Sequence, residues 1–461
     1  MTRLTRAIRR LPSLYVEVAA LCAVMAIATA IRIYRLGTVP RIVTADEADN
    51  LQVAYKIIEG TGPGVLGYDW KPAPIFSLYP LAWCIEVFGD TVSDFRMFPV
   101  ILSLLTLIFT YLLARESMRA PAALIAVGLL ATNLWFLHFS RTAWENSNAA
   151  LFAVGACWCT TRAIKTGDWT WWVRVGVFTA FGLYGYFTGR FIFVSVALIA
   201  VLAVLSIGAP WRKTLTGLLI AGVVTAVLFG PQARRISQDW ERFNSRSEAA
   251  SIFTGEYEGR TDGWETARIN FGRNVRGFIL QDGDEMGRGN WASYTPDHRP
   301  PLDKVSAYLF LLGLIFGAIR WRRTYAWWTF LVPVFIAEVF SKGTPDLARG
   351  ILFAPFYFLF IGLFFDEVFS RLKPRAWRYG AIAAAATLAF MIGWRNVDEY
   401  FDWQTSQSPL SARLPGVDVC EFNAWRELAI SSARQGTVVD PADRDEIAVR
   451  LDCSPVRQQQ R

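Results

Sequence analysis

Pro72–Gly89 reads PAPIFSLYPLAWCIEVFG, and whether this stretch crosses a membrane decides how the whole chain is threaded. The surrounding sequence is that of a polytopic membrane protein. Of 461 residues, 53% are hydrophobic and 19% charged, whereas a soluble domain is about a quarter charged. The apolar residues fall in long blocks such as Leu14–Ile31, Phe95–Leu113 and Ala120–Leu137, the length of membrane spans. Besides the disputed stretch, about eleven segments qualify: 14–31, 94–113, 120–137, 147–163, 172–188, 191–207, 214–230, 305–319, 326–340, 350–368 and 379–393.

Basic residues settle the count. Arg115/Arg119, Arg162/Lys165/Arg174, Arg212/Lys213, Arg320/Arg322/Arg323 and Arg371/Lys373/Arg375/Arg378 occupy every second linker. With eleven spans they share a side with Arg3, Arg6, Arg9 and Arg10, which the positive-inside rule makes cytoplasmic. Counting Pro72–Gly89 as a twelfth span would separate them from the N-terminus. Its three prolines and marginal length also argue for an interfacial or re-entrant helix. The expected fold is therefore all-α and polytopic, with a transmembrane domain over 1–394 and a short extracytoplasmic tail over 395–461. Residues 36–93 and 232–304 form external loops. The basic N-terminus runs into an apolar segment without a small-residue cleavage site, which reads as a retained first span.

The net charge of +8 follows from the basic cytoplasmic loops and gives no reason to expect a nucleic-acid partner. Asp46-Glu47-Ala48-Asp49 spells a helicase motif, but no Gly-Lys-Thr/Ser phosphate loop accompanies it. Two histidines, His138 and His298, are too few for a histidine-based zinc site. Cys22, Cys84, Cys157 and Cys159 lie in or beside apolar segments and read as packing residues. Cys420 and Cys453 lie in the tail, where an extracytoplasmic location would permit a disulfide.

The first external loop gathers the chemistry. Thr44 followed by Glu47 fits a capping box; Leu51, Ala54, Tyr55 and Ile58 recur at helical spacing, and Gly60 ends the run. Asp46 and Glu47 then sit in the first turn of a short helix, where the helix dipole favours an ionised carboxylate. An ionised Asp46 at a membrane boundary suits a general base for a sugar hydroxyl. Asp49 is expected to face solvent. Lys71 shares the loop and suits a donor phosphate. The external turns 139–146, 184–190 and 341–349 bring Arg141, Arg190 and Arg349 to the same side, and Arg242 or Arg246 follows in the larger loop. Converging arginines suit an anionic ligand.

An acidic pair after the first span, a Lys71-Pro72 segment opening a second loop helix, and Lys342-Gly343…Arg349…Pro before a late span resemble the GT-C membrane glycosyltransferases. The nearest groups are the bacterial protein mannosyltransferase-like and aminoarabinose-transferase-like enzymes. The resemblance covers most of residues 14–400. It implies an extracytoplasmic site at the plasma membrane and a polyprenyl-phosphate sugar donor. The acceptor would be a lipid, glycan or protein, and membrane lipids surround the site. It makes Asp46 the match to the catalytic aspartate, with Glu47 beside it, and Lys71 the match to the lysine near the donor phosphate. Arg349 falls near a position that the aminoarabinose enzymes fill with tyrosine. The reading is an inverting glycosyltransferase with Asp46 as general base. Lys71, Arg141, Arg190, Arg349 and Arg246 would hold the phosphate, and neither metal nor cofactor is expected. The alternative is a transporter or flippase of lipid-linked sugars, which would carry its charges deep in the spans.

Overall fold

The computed structural model describes residues 3–69, 71–280, 294–296, 299–406, 416–418 and 422–437. His298, Cys420 and Cys453 lie outside them, and with them the expectation of a disulfide. A helix lies at each of the eleven expected segments. The first is α1 (Arg3–Ile33). The loop after it holds β1 (Ile42–Thr44), α2 (Ala45–Ile58) and α3 (Tyr79–Phe88). The short α4 (Val92–Phe95) leads into α5 (Met97–Arg115), and α6 (Ala120–Thr132) is continued by α7 (Leu134–Phe139). Next come α8 (Ser147–Thr166), α9 (Trp169–Tyr184), α10 (Phe191–Ile207) and α11 (Trp211–Gln238). The larger loop forms α12 (Trp240–Ala250) and α13 (Gly263–Val275) before α14 (Lys304–Ile319), α15 (Trp321–Val339), α16 (Phe353–Arg371) and α17 (Arg375–Ser406).

Six of the described helices are long and apolar enough to cross a membrane. The Pro72–Gly89 stretch is not among them. Its helical part, a 3₁₀ turn at Ile75–Leu78 followed by α3, covers Ile75–Phe88. At about 1.5 Å per residue this is well short of the ~30 Å hydrocarbon layer. Pro80 sits in the first turn of α3, where its missing N–H has no helical partner to lose.

Burial orders the bundle. Of the span Arg349–Arg371, 89% is buried, against 6% for Leu14–Ile33 and 17% for Trp211–Gln238. So α16 is the central helix, while α1 and α11 present apolar surface outward. The approach of α14 to α16 is set by small residues: a Cβ at Gly313 would lie 2.2 Å from the Phe360 carbonyl oxygen. Without side chains there the two backbones come close enough for dispersion to hold them.

The tail is not an independent appendage. Its β2 (Gly416–Asp418) pairs antiparallel with β1, Val43 opposite Val417. Its α18 (Phe422–Arg434) buries Phe422, Trp425, Ala429 and Ala433 in one cluster with Leu51 and Tyr55 of α2 and Leu81 of α3. Arg426 pairs with Asp90 at 2.9 Å and Arg434 with Glu59 at 3.2 Å. The tail is thus packed against the first loop. Deleting a fully buried tryptophan costs roughly 3–5 kcal/mol. Trp425→Ala is therefore expected to release α18 and expose the outer face of α2, read as faster amide exchange over 45–58 with the helical bundle unchanged.

Candidate active site

At and beyond the end of α1, the carbonyls over 31–42 that lack a helix partner need donors from elsewhere. Two buried arginines supply them. Arg141 donates to the carbonyls of Ile31 and Arg32 at 2.6 Å, Tyr34 at 2.7 Å and Val39 at 2.8 Å. Arg96 donates to those of Leu36 at 3.3 Å, Pro40 at 2.7 Å and Ile42 at 3.1 Å. Arg96 also forms an ion pair with Glu47 at 3.1 Å, both side chains wholly buried. The second half of the capping box goes elsewhere: Thr44 accepts from the Glu47 N–H at 3.3 Å, but the Glu47 carboxylate turns inward to Arg96 and accepts the Ala143 N–H at 2.8 Å. A buried arginine outcompetes a backbone cap for a carboxylate. Glu47 therefore ties α2 to the start of α5 and to the 139–146 turn.

With Glu47 turned inward, Asp46, the residue before it, is left half-buried among the charges of Asp49, Lys71, Arg246 and Asp346. Burial raises its pKa above the ordinary 3.8, with Asp49 and Asp346 adding to the rise and Lys71 and Arg246 opposing it. Burial outweighs the helix dipole, which alone predicts the opposite direction. Asp49, three residues along the same helix face, is half-buried and acts electrostatically on both Asp46 and Lys71 rather than standing in solvent.

Lys71 lies beneath this face. Its ammonium contacts the buried carboxylate of Glu145, which also accepts from Asn50 Nδ2 at 2.7 Å. Burial pulls Lys71 down to about 7; Asp46 and Asp49 oppose the fall and Arg246 adds to it, while the touching Glu145 favours the charged form. The flanking Asp69 is held by Lys56 at 3.0 Å.

The remaining arginines divide. Arg246, on α12, acts on Asp46, Lys71 and Tyr186. Arg242, one turn earlier, donates to the Asp69 carbonyl at 3.0 Å, so Arg246 is the one that faces the carboxylates. Arg190 stacks over Phe243 at 4.0 Å and donates to Ser247 Oγ at 3.3 Å, flanking the cleft. Arg349 pairs with Asp346 at 3.1 Å and donates to the Lys342 carbonyl at 3.1 Å. Arg141 has its terminal nitrogens committed to main-chain oxygens, which gives it a structural task in place of the expected phosphate.

Residues absent from the expected set complete the cleft. Asp346 accepts the N–H groups of Ala348 at 2.8 Å and Arg349 at 3.1 Å, and so aims the Arg349 side chain. Tyr186, half-buried, and Tyr294, buried, are phenols raised in pKa by desolvation and by Asp346, and Asp46 and Arg349 act on both. The charges that act on Asp46 and Lys71 thus come from α2, α12 and the turn before α16. Among the described residues, no group of three or more His, Cys, Asp or Glu could hold a metal ion.

Residues 72–233, about a third of the chain, match the family described as dolichyl-phosphate-mannose-protein mannosyltransferase. The archaeal oligosaccharyltransferase AglB from Archaeoglobus fulgidus, solved with an inhibitory peptide and a dolichol-phosphate, superposes with a TM-score of 0.63 at 15% identity. That superposition covers 93% of this chain and 60% of AglB. ArnT from Cupriavidus metallidurans in the apo state superposes with a TM-score of 0.55 at 15% identity, covering 96% of this chain and 80% of ArnT. The chain has the GT-C fold. The chain spans about 60% of the length of AglB. No curated protein sequence matches it.

Proposed function

We propose that this GT-C protein transfers a sugar from a polyprenyl-phosphate donor to an acceptor on the extracytoplasmic side of the plasma membrane. The observation that carries the reading is that Asp46, Lys71 and Arg246 stand near enough to act on one another electrostatically. The dolichol-phosphate bound to AglB and the dolichyl-phosphate family matched by residues 72–233 support the donor class. The carboxylate of Asp46 takes the proton of an acceptor hydroxyl or amine as the acceptor attacks the anomeric carbon. The bond from that carbon to the phosphate oxygen breaks, and its electron pair leaves with the lipid phosphate. Lys71, Arg246 and Arg349 stabilise the charge that develops there, with Arg190 at the flank. Such preorganised cations act most strongly in a site shielded from water. Glu47 holds the helix that carries Asp46, and Arg141 holds the loop.

A raised carboxylate and a lowered ammonium predict a bell-shaped pH profile for kcat/KM. Asp46 must be ionised, so activity falls as pH drops through a pKa above the ordinary 3.8. Lys71 must be charged, so activity falls again as pH rises through a pKa that burial holds below the ordinary 10.5. Lys71→Arg keeps the charge at all accessible pH, and its profile is expected to lose the alkaline limb.

Reconstitution with a polyprenyl-phosphate sugar tests the reading. One free lipid phosphate released per sugar transferred supports it, and passage of intact donor across the bilayer supports the transporter.

A further inference from the structure

The helix α5 begins beside Arg96 and Glu47 and ends at Arg115. Nineteen residues at about 1.5 Å each put Arg115 nearly 30 Å from the cleft, at the opposite end of the bundle. A cavity of about 470 Å³ opens there, between the ends of α5, α8, α10 and α16 and the starts of α6 and α15. Five cations line it, Arg115, Arg119, Lys165, Arg322 and Arg323, against two carboxylates, Glu116 and Asp366.

Four of the cations are engaged: Arg115 with Glu17 at 2.7 Å, Arg119 with Asp366 at 3.0 Å, Lys165 with Glu116 at 3.1 Å and, at longer range, Arg323 with Glu367. Arg323 stands 3.8 Å from Glu367, and Arg322 has no ion pair among the described residues. Both belong to the first turn of α15, whose N-terminal N–H groups also favour an anion. The cavity therefore has positive charge in excess at one edge. Its walls include the apolar Met118, Ala326 and Trp327, and Ile207 at the rim is 40% exposed. Trp211, four residues past Ile207, is 59% exposed, and Ile319, three residues before Arg322, is 65% exposed. A cationic edge beside an outward-facing apolar surface fits an anion that arrives on hydrocarbon chains.

We infer that this cavity binds the phosphodiester headgroup of an anionic membrane lipid, with Arg322 and Arg323 as its principal cations and the acyl chains lying along the surface near Ile207. The site is separate from the Asp46 cleft and does not depend on the chemistry proposed there.

The test uses the full-length protein in detergent, titrated with dioleoyl phosphatidylglycerol and followed by native mass spectrometry and thermal midpoint. The wild type is expected to retain one lipid and gain thermal stability. At about 1 kcal/mol per cation, Arg322→Ala with Arg323→Ala is expected to bind roughly 30-fold more weakly. Both side chains are exposed, so the variant keeps its packing; an unchanged midpoint without lipid verifies this. Arg212→Ala with Lys213→Ala, removing another basic pair outside the cavity, is expected to bind like the wild type. Three results would overturn the inference: equal retention by the Arg322/Arg323 variant, equal retention of phosphatidylcholine, or full displacement by millimolar inorganic phosphate.

Discussion

Asp46→Asn is expected to lower sugar transfer by about 10²–10⁴-fold, the usual contribution of a positioned general base, while the thermal midpoint stays near that of the wild type. The amide fills the same space and keeps a polar atom towards the cleft, but it takes no proton from an acceptor. The variant also removes a carboxylate that burial holds at a raised pKa, so no folding energy is lost with its charge. Donor binding should persist, because Lys71, Arg246 and Arg349 are untouched. A lowered kcat with KM for the donor little changed is the pattern for an interaction made only in the transition state. Transfer at the wild-type rate by a folded Asp46→Asn protein would remove Asp46 from the mechanism.

The second large effect falls on stability. Arg96 donates to three main-chain carbonyls and to both oxygens of Glu47 in a wholly buried setting. Arg96→Ala strands the Glu47 carboxylate without its cation, and breaking a buried pair in this way costs about 3–5 kcal/mol. The expected result is a loop 34–58 that becomes susceptible to proteolysis at temperatures where the wild type resists. Adding Glu47→Gln should restore part of the loss, because it removes the stranded charge. Transfer should fall in both variants, since α2 no longer holds Asp46 in place. A single variant as stable as the wild type would show that the pair is not what fixes the loop.

Much of the architecture is legible in the amino-acid order. Apolar runs located a helix at every expected segment, and the alternation of basic linkers gave a threading in which Pro72–Gly89 stays on one side. The short α3 agrees with that threading. Asp46 and Lys71 stand out because a charged pair flanks an apolar stretch in one loop. Arg96 and Arg141 were harder. An arginine at the end of a span has the same local sequence whether it anchors in the interface or turns inward to the backbone, and only the folded loop distinguishes the two. Asp346, Tyr186 and Tyr294 belong to different loops, and nothing local shows that three turns converge. The docking of α18 did leave a trace, since Phe422, Trp425, Ala429 and Ala433 recur at helical spacing. That stripe identifies an amphipathic helix but not its partner, which is set by the pairing of β2 with β1. Asp49 shows the same limit, because a helix face turns towards solvent or towards a cleft according to what else packs there.

The anomeric configuration of the product tests the proposed chemistry most directly. A single displacement, with Asp46 taking the proton and the lipid phosphate leaving from the opposite face, gives a product of inverted configuration. The measurement is the one-bond carbon–proton coupling at the anomeric centre, made on product formed by the reconstituted protein from a donor of defined configuration. Inversion is the result predicted here. Retention would require two displacements or attack from the face that the phosphate leaves, and either would contradict the single displacement in which Asp46 acts as base.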